Sequence, residues 1–335
     1  MKQQYEMLRA TSRTFALSIE LLPGMVRDAI TVAYLLLRVS DYLEDNEEMD
    51  APRKAELLRT WGQVLEGVVP VQQLTSAIGW VDSNNPEAHV AQQAHALLDE
   101  LLALPSKIQE IVTRYVRETT LGMARWQQMG PLIDNEEEMD DYMHYVAGIV
   151  GYLITEVFAL HSPVIRARLA ELMPLSREYG LALQTVNVIR GMRKDYERGW
   201  VFVPRTFYEE VGLSHHQLFE PQYEETALQV VERLAVKAEG HLRHGIEYIM
   251  AFPRHQHRVR LACMWPLLFA AKTLAVSRNN REVLRDEAKI GRDQVKQIMR
   301  YTTYFGWSNT WLRWYYEQLS TPVLAGETNA LLTTT

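Results

Sequence analysis

Apolar residues recur at three- and four-residue spacing along nearly the whole chain, and Pro or Gly residues interrupt the pattern. TSRTFALSI rides on a first helix that stops near Leu22-Pro23-Gly24, and RDAITVAYLLLRVSDYLED forms a second. The same periodicity predicts helices over 51–66, 86–103, 106–129, 137–161, 164–173 and 175–198. It resumes around 205–218, 224–250, 255–276 and 282–319, with breaks near Pro70, Pro105, Gly130-Pro131 and Pro253. No segment alternates over the length of a strand, and VFV at 201–203 is too short to found a sheet. No repeat, low-complexity tract or long linker divides the chain. The expectation is an all-α fold, with one helical domain over 1–320 and a frayed tail over 321–335.

Composition narrows the function. At 335 residues and 47% hydrophobic, the chain can bury a large core without disulfides. Cys263 is the one cysteine, which excludes a disulfide framework or a CxxC metal site and suits a reducing cytoplasm. The net charge of −7 comes with scattered Lys and Arg, so no nucleic-acid partner is expected. The first residues, MKQQYEMLRATSRTF, carry charges where a signal peptide needs its apolar stretch. YVAGIVGYLITEVFAL, 145–160, is shorter than a membrane span, contains Glu156, and reads as a buried core helix. A soluble cytoplasmic protein is expected.

Two stretches carry candidate chemistry. In DYLED, Asp41, Glu44 and Asp45 stand at i, i+3 and i+4 and share one face near the end of an apolar helix. Hard oxygen ligands in that arrangement suit Mg²⁺, which binds a few carboxylates, waters and phosphate oxygens. A solvated acidic helix end is the plain alternative. The still more acidic DNEEEMDD, 134–141, precedes a helix, where carboxylates complement the N-terminal dipole, and is read as structural. In LALQTVNVIRGMRKDYERG, 181–199, a broad stripe holds Gln184, Asn187, Gly191, Lys194, Asp195 and Arg198. Amides, an acid and cations beside apolar residues are costly to bury unless they bind something. Arg190 and Arg193 add guanidinium donors suited to phosphate.

At these residues the chain resembles the squalene and phytoene synthase family over most of its length. The resemblance begins at TSRTF, 11–15, and continues through Tyr34, Arg38 and DYLED. It returns at LGMA (121–124), HYVAGIVG (144–151), QTVNVIRGMRKD (184–195) and Val203-Pro204, and late in the chain is nearer the squalene branch. It implies an isoprenoid synthase-type helical bundle around a central pocket. The implied reaction joins two prenyl diphosphates head-to-head, typically farnesyl diphosphate, through a cyclopropylcarbinyl diphosphate. Asp41, Glu44 and Asp45 match the first magnesium box; Gln184, Asn187 and Asp195 match the second. Ser12, Arg13, Tyr34, Arg38, Arg190 and Arg198 match diphosphate-side positions, and Tyr145 matches a tyrosine near the ionising centre. Lys289, followed by Arg292, matches a nicotinamide-cofactor position. The implied cofactors are Mg²⁺ and, where the product is reduced to squalene, NADPH.

The second box departs from the family's DxxED: Gly191-Met192-Arg193-Lys194-Asp195 has glycine and lysine in place of two acids. Asn187 and Asp195 are separated by about 12 Å of helix rise, a long reach for one ion. Lys194 shares the face of Asn187 and is expected to contact a diphosphate directly. Two alternatives follow: a transferase with one diphosphate donor and a different, aromatic-type acceptor, or a non-catalytic relative acting in protein assembly, against which the intact first box argues. His241 and His244, like His255 and His257, lack a third ligand and are read as solvated. Cys263 is read as a packed thiol. The aromatic run YFGWSNTWLRWYY, 304–316, is read as core packing, with a membrane-facing edge as the sharper idea. Expected partners are prenyl diphosphates, with peripheral membrane contact for product release; oligomeric state is left open.

Overall fold

Short polar side chains cap the starts of several helices of this chain, and prolines open others. Ser12 has an extended backbone (φ −151°) and its Oγ accepts a hydrogen bond from Phe15 N at 3.1 Å. That cap splits the predicted first helix into α1 (Lys2–Thr11) and α2 (Arg13–Glu20). Asp50 caps α4 (Ala51–Leu65), after α3 (Gly24–Asp45). Following α5 (Val71–Ile78), Asn85 caps α6 (Pro86–Gln92), and a break at Gln93 separates α7 (Ala94–Leu102). The predicted 106–129 helix is present as α8 (Ser106–Met129). Asn135 caps α9 (Glu136–Met143), whose first turn holds Glu136, Glu137 and Glu138, as expected of that acidic run. A computed structural model describes residues 1–79 and 85–322; apart from its first two residues, the tail expected to fray at 321–335 lies outside the described residues.

A π-turn over His144–Gly148 leads into α10 (Ile149–His161), and Ser162 caps α11 (Pro163–Ala167). The expected stop at Pro174 does not occur: α12 (Leu169–Glu197) runs through it. Then come α13 (Arg205–Glu209), α14 (Glu224–Ala251) and α15 (His257–Ser277). The long helix expected over 282–319 is three pieces: α16 (Glu282–Arg285), α17 (Arg292–Phe305) and α18 (Asn309–Ser320), the last capped by Ser308. Among the described residues there is no strand, only an isolated bridge between Leu132 and Val201.

The architecture follows from which apolar faces meet. α10, the π-turn, α14 and α15 all pack on α12; α8 packs on α3 and α10; α4 covers α8. α17 and α18 cover the outer side of α15. Close approach of α10 and α12 depends on Gly151 and Gly180: a Cβ at Gly151 would run into the Ser176 carbonyl, and one at Gly180 into that of Ala147. Two stretches, Glu136–His161 and His257–Ser277, are long and apolar enough to cross a bilayer. Of their apolar windows, 89% of the second is buried but only 50% of the first. The half-buried face of the first opens on an internal cavity through Val146, Ala147, Val150 and Ile154.

Candidate active site

The cavity has a volume of about 950 Å³, near the top of the range of about 300–1,000 Å³ for small-molecule sites. Its depth is apolar, walled by residues such as Ile19, Leu37, Val150, Leu183 and Pro266. Its mouth is lined by Tyr34, Arg38, Asp41, Glu44 and Asp45 from α3 and by Gln184, Asn187, Arg190, Gly191, Lys194 and Asp195 from α12. Cys263 sits in the wall; burial pushes its thiol up, as a packed thiol requires.

Charge at the mouth is tightly organised. Arg38 donates to Asp41 at 2.7 Å and to Glu87 of α6 at 3.1 Å, and lies 5.3 Å from the centre of the Tyr34 ring. Burial pushes the Asp41 carboxyl up to about 6, against the pull of Arg38. Burial, then the charges of Asp45 and Asp41, holds Glu44 well above the carboxylate range. Asp195 is raised by burial and partly restored by Arg198, which donates to it at 2.5 Å and to Asp45 at 3.2 Å. Asp41, Glu44, Asp45 and Asp195 outnumber the arginines paired with them, Arg38 and Arg198, and a divalent cation relieves such an excess. Among the described residues no group of three or more His, Cys, Asp or Glu side chains is placed to hold a metal ion by itself. Mg²⁺ does not require one, since it keeps waters and borrows phosphate oxygens.

Other expected site residues sit elsewhere. The Ser12 hydroxyl is committed to capping α2 and does not line the cavity. The side chain of Arg13 lies outside the described residues. Tyr145, expected beside the ionising centre, lines a separate outer cleft with Gly122 and Arg125. The π-turn gives the cavity side to Val146 and Ala147, and Tyr145 packs on Gly122, where a Cβ would collide with its ring. Arg193 turns away to pair with Glu197 at 2.7 Å. Lys194 donates to Glu287 at 2.7 Å and stands 3.7 Å from Asp286. Lys289 is exposed and also pairs with Glu287, while Arg292 is exposed on the first turn of α17. His241 is not solvated: it is 12% exposed and contacts Glu178 at 2.6 Å across the α12–α14 seam.

Sequence reasoning missed Glu87 and Glu287. Both come from elements other than the two box helices, so no spacing within a helix points to them. Glu87 reads as a first-turn acid after Asn85-Pro86, and Glu287 as one more charge in EAKIGRD.

An all-helical shell around an apolar cavity, with carboxylates and guanidinium groups facing each other across its mouth, is the architecture of an isoprenoid synthase-type helical fold. The squalene/phytoene synthase family model matches residues 8–294, and the chain belongs to that family of metal-dependent prenyltransferases. It is 27% identical to the squalene synthase of Schizosaccharomyces pombe, over 89% of this chain and 64% of that protein. With the squalene synthase of Homo sapiens it shares 28% identity, over 90% of this chain and 70% of that one. The chain thus spans about two thirds of the length of these relatives. A solved complex of TcSQS with a ligand superposes with a TM-score of 0.82 at 25% identity, over 98% of this chain and 92% of the other. A dehydrosqualene synthase (TM-score 0.66, 18% identity, 95% and 96% coverage) shares the fold.

Proposed function

We propose that this chain ionises a farnesyl-type diphosphate and couples two such molecules head-to-head, toward squalene or a related C30 product. The observation that carries the reading is the join of an acid- and guanidinium-lined mouth to an apolar cavity of about 950 Å³. Asp41 and Asp45, with Glu44 beside them and Asn187 and Asp195 opposite, would hold Mg²⁺, which supplies electrophilic stabilisation of the leaving diphosphate.

The chain's own residues account for the rest. Heterolysis of the allylic C–O bond sends the electron pair to the diphosphate, and Arg38, Arg190 and Arg198 stand at the mouth to stabilise that charge. The apolar wall keeps water from the allyl cation until the second prenyl chain's double bond reaches it. Loss of one proton then closes the cyclopropane. Tyr145, lying outside the cavity, takes no part in this reading.

The decisive experiment incubates the protein with farnesyl or geranylgeranyl diphosphate and Mg²⁺, with and without NADPH, and analyses the products. A C30 hydrocarbon formed only with NADPH supports squalene formation, with Lys289 and Arg292 as the cofactor-side candidates. Absence of diphosphate release from either substrate overturns the reading. The single-donor alternative is favoured by one feature, the presence of only one carboxylate, Asp195, in the second box. Release of diphosphate with transfer of the prenyl group to an added aromatic acceptor, and no coupled prenyl product, would select it.

We also read the protein as cytoplasmic with peripheral membrane contact through α17 and α18. Tyr304, Phe305, Trp307 and Trp314 are each at least half exposed there, beside exposed Lys296, Arg300 and Arg313. Amphipathic aromatic rings with flanking cations suit the headgroup region of an anionic bilayer.

A further inference from the structure

The two sides of the cavity mouth differ in sign. α3 brings Asp41, Glu44 and Asp45 against one arginine, Arg38. The closing turns of α12 bring Arg190, Lys194 and Arg198 to the cavity against Asp195 and Glu197. With Gly191 and Lys194 at positions where the resembled family has acids, this wall carries more cations than carboxylates.

An anion is already there. Glu287 lines the cavity, and its side chain is 11% exposed. It accepts from Lys194 at 2.7 Å, lies 3.5 Å from Arg190 Nε, and pairs with Lys289. Burial raises its carboxyl, but Lys194, Lys289 and Arg190 outweigh that and hold it below the usual range. Arg190 Nε is buried without a hydrogen-bond acceptor, so the cation group has capacity that one carboxylate does not fill. Glu287 belongs to the non-helical segment between α16 and α17. Its neighbour Ala288 is buried in the core, so the side chain can swing without moving the segment's anchor.

We propose that Arg190, Lys194 and Lys289 form a metal-independent diphosphate subsite, and that Glu287 occupies it as an internal stand-in anion which the incoming diphosphate displaces. This rests on the diphosphate chemistry proposed above. A diphosphate carries more charge and more acceptor oxygens than a carboxylate, so it outcompetes Glu287 for the same three cations. The subsite and the acid box face one another across a single mouth, as the coupling of two diphosphates requires. A diphosphate group also occurs in the dinucleotide NADPH, so the source needs its own test.

The test is calorimetric titration of the full chain with inorganic pyrophosphate in EDTA, where magnesium sites are silent. Wild-type protein is expected to bind, and Lys194→Ala to bind about tenfold more weakly, as loss of a charged hydrogen-bond donor predicts. Glu287→Gln is expected to bind about threefold or more tightly, because the internal competitor is gone. Weaker or unchanged binding in Glu287→Gln overturns the proposal, as does absence of metal-free binding in both wild type and this variant. Displacement of pyrophosphate by a prenyl thiodiphosphate supports it; displacement by NADPH alone overturns it. If the coupling reaction itself were wrong, magnesium-dependent release from allylic substrates would be missing while this EDTA titration stayed as described.

Discussion

Asp45 and Asp195 stand 150 positions apart in the chain and share one guanidinium, that of Arg198, at 3.2 Å and 2.5 Å. The contact ties the end of α3 to the end of α12 across the cavity mouth. It also sets two carboxylates facing each other with a single positive charge between them.

Removing that charge is expected to leave the two acids in repulsion. Arg198→Ala should cost about 1 kcal/mol of stability in EDTA, a small figure because Asp45 is more than half exposed. Mg²⁺ should then raise the melting temperature of the variant more than that of the wild type. Equal responses in thermal denaturation would show that the acids do not form one cation site.

Asp41, 20% exposed, is the first-box acid paired with Arg38 at 2.7 Å. Asp41→Asn is expected to lower magnesium-dependent diphosphate release by about 100-fold or more, the scale of losing one preorganised electrostatic element. Far-ultraviolet circular dichroism should be unchanged. Wild-type rates in this variant would remove Asp41 from the reaction.

Glu178 joins α12 to α14 through His241 at 2.6 Å, and that hydrogen bond outweighs burial to hold its carboxyl below the usual glutamate range. A depressed folded-state value means the stabilisation is present above the unfolded pKa and is lost as pH falls through the folded one. Glu178→Gln should therefore cost about 1 kcal/mol near neutral pH. The gap to wild type should close in acid, below the ordinary glutamate value of 4.5. Urea denaturation across pH checks this, and a gap that widens in acid would contradict it.

The aromatic edge of α17 and α18 is held rigidly. Buried Arg260 donates to the carbonyls of Ile249 and Phe252 at 3.0 and 2.9 Å, and to Gly306 O and Asn309 Oδ1 at 3.2 and 2.7 Å. Trp307→Ala with Trp314→Ala should weaken co-sedimentation with anionic phosphatidylglycerol vesicles severalfold, on the order of 1 kcal/mol per ring. Undiminished sedimentation would assign these rings to another role.

The helical class, the placement of the long helices and the first acid box were legible in the sequence, because each depends on spacing within one helix. α8 matches its predicted bounds. Asp41, Glu44 and Asp45 all line the cavity mouth, as their i, i+3, i+4 pattern implied. Helix breaks at Ser12 and Ser308 were missed, since side-chain caps compete with continuation only when tertiary packing gives each piece its own seat, and the break at Gln93 was missed although no side chain caps it. The run through Pro174 was missed for the converse reason: tertiary packing can hold a helix through a residue that breaks it in isolation.

The partners of each charge were another matter. Periodicity says which residues share a face, and so determined that α3 and α12 would each offer a polar stripe. It carries no information about what approaches that stripe from elsewhere in the chain. Only the tertiary structure decided that Glu87 would meet Arg38, that Tyr145 would turn to Gly122 rather than to the cavity, and that Glu287 would bring a carboxylate to Lys194. Such contacts arise from helix packing and loop placement, where electrostatic energy depends on distances of a few ångströms that sequence spacing does not encode.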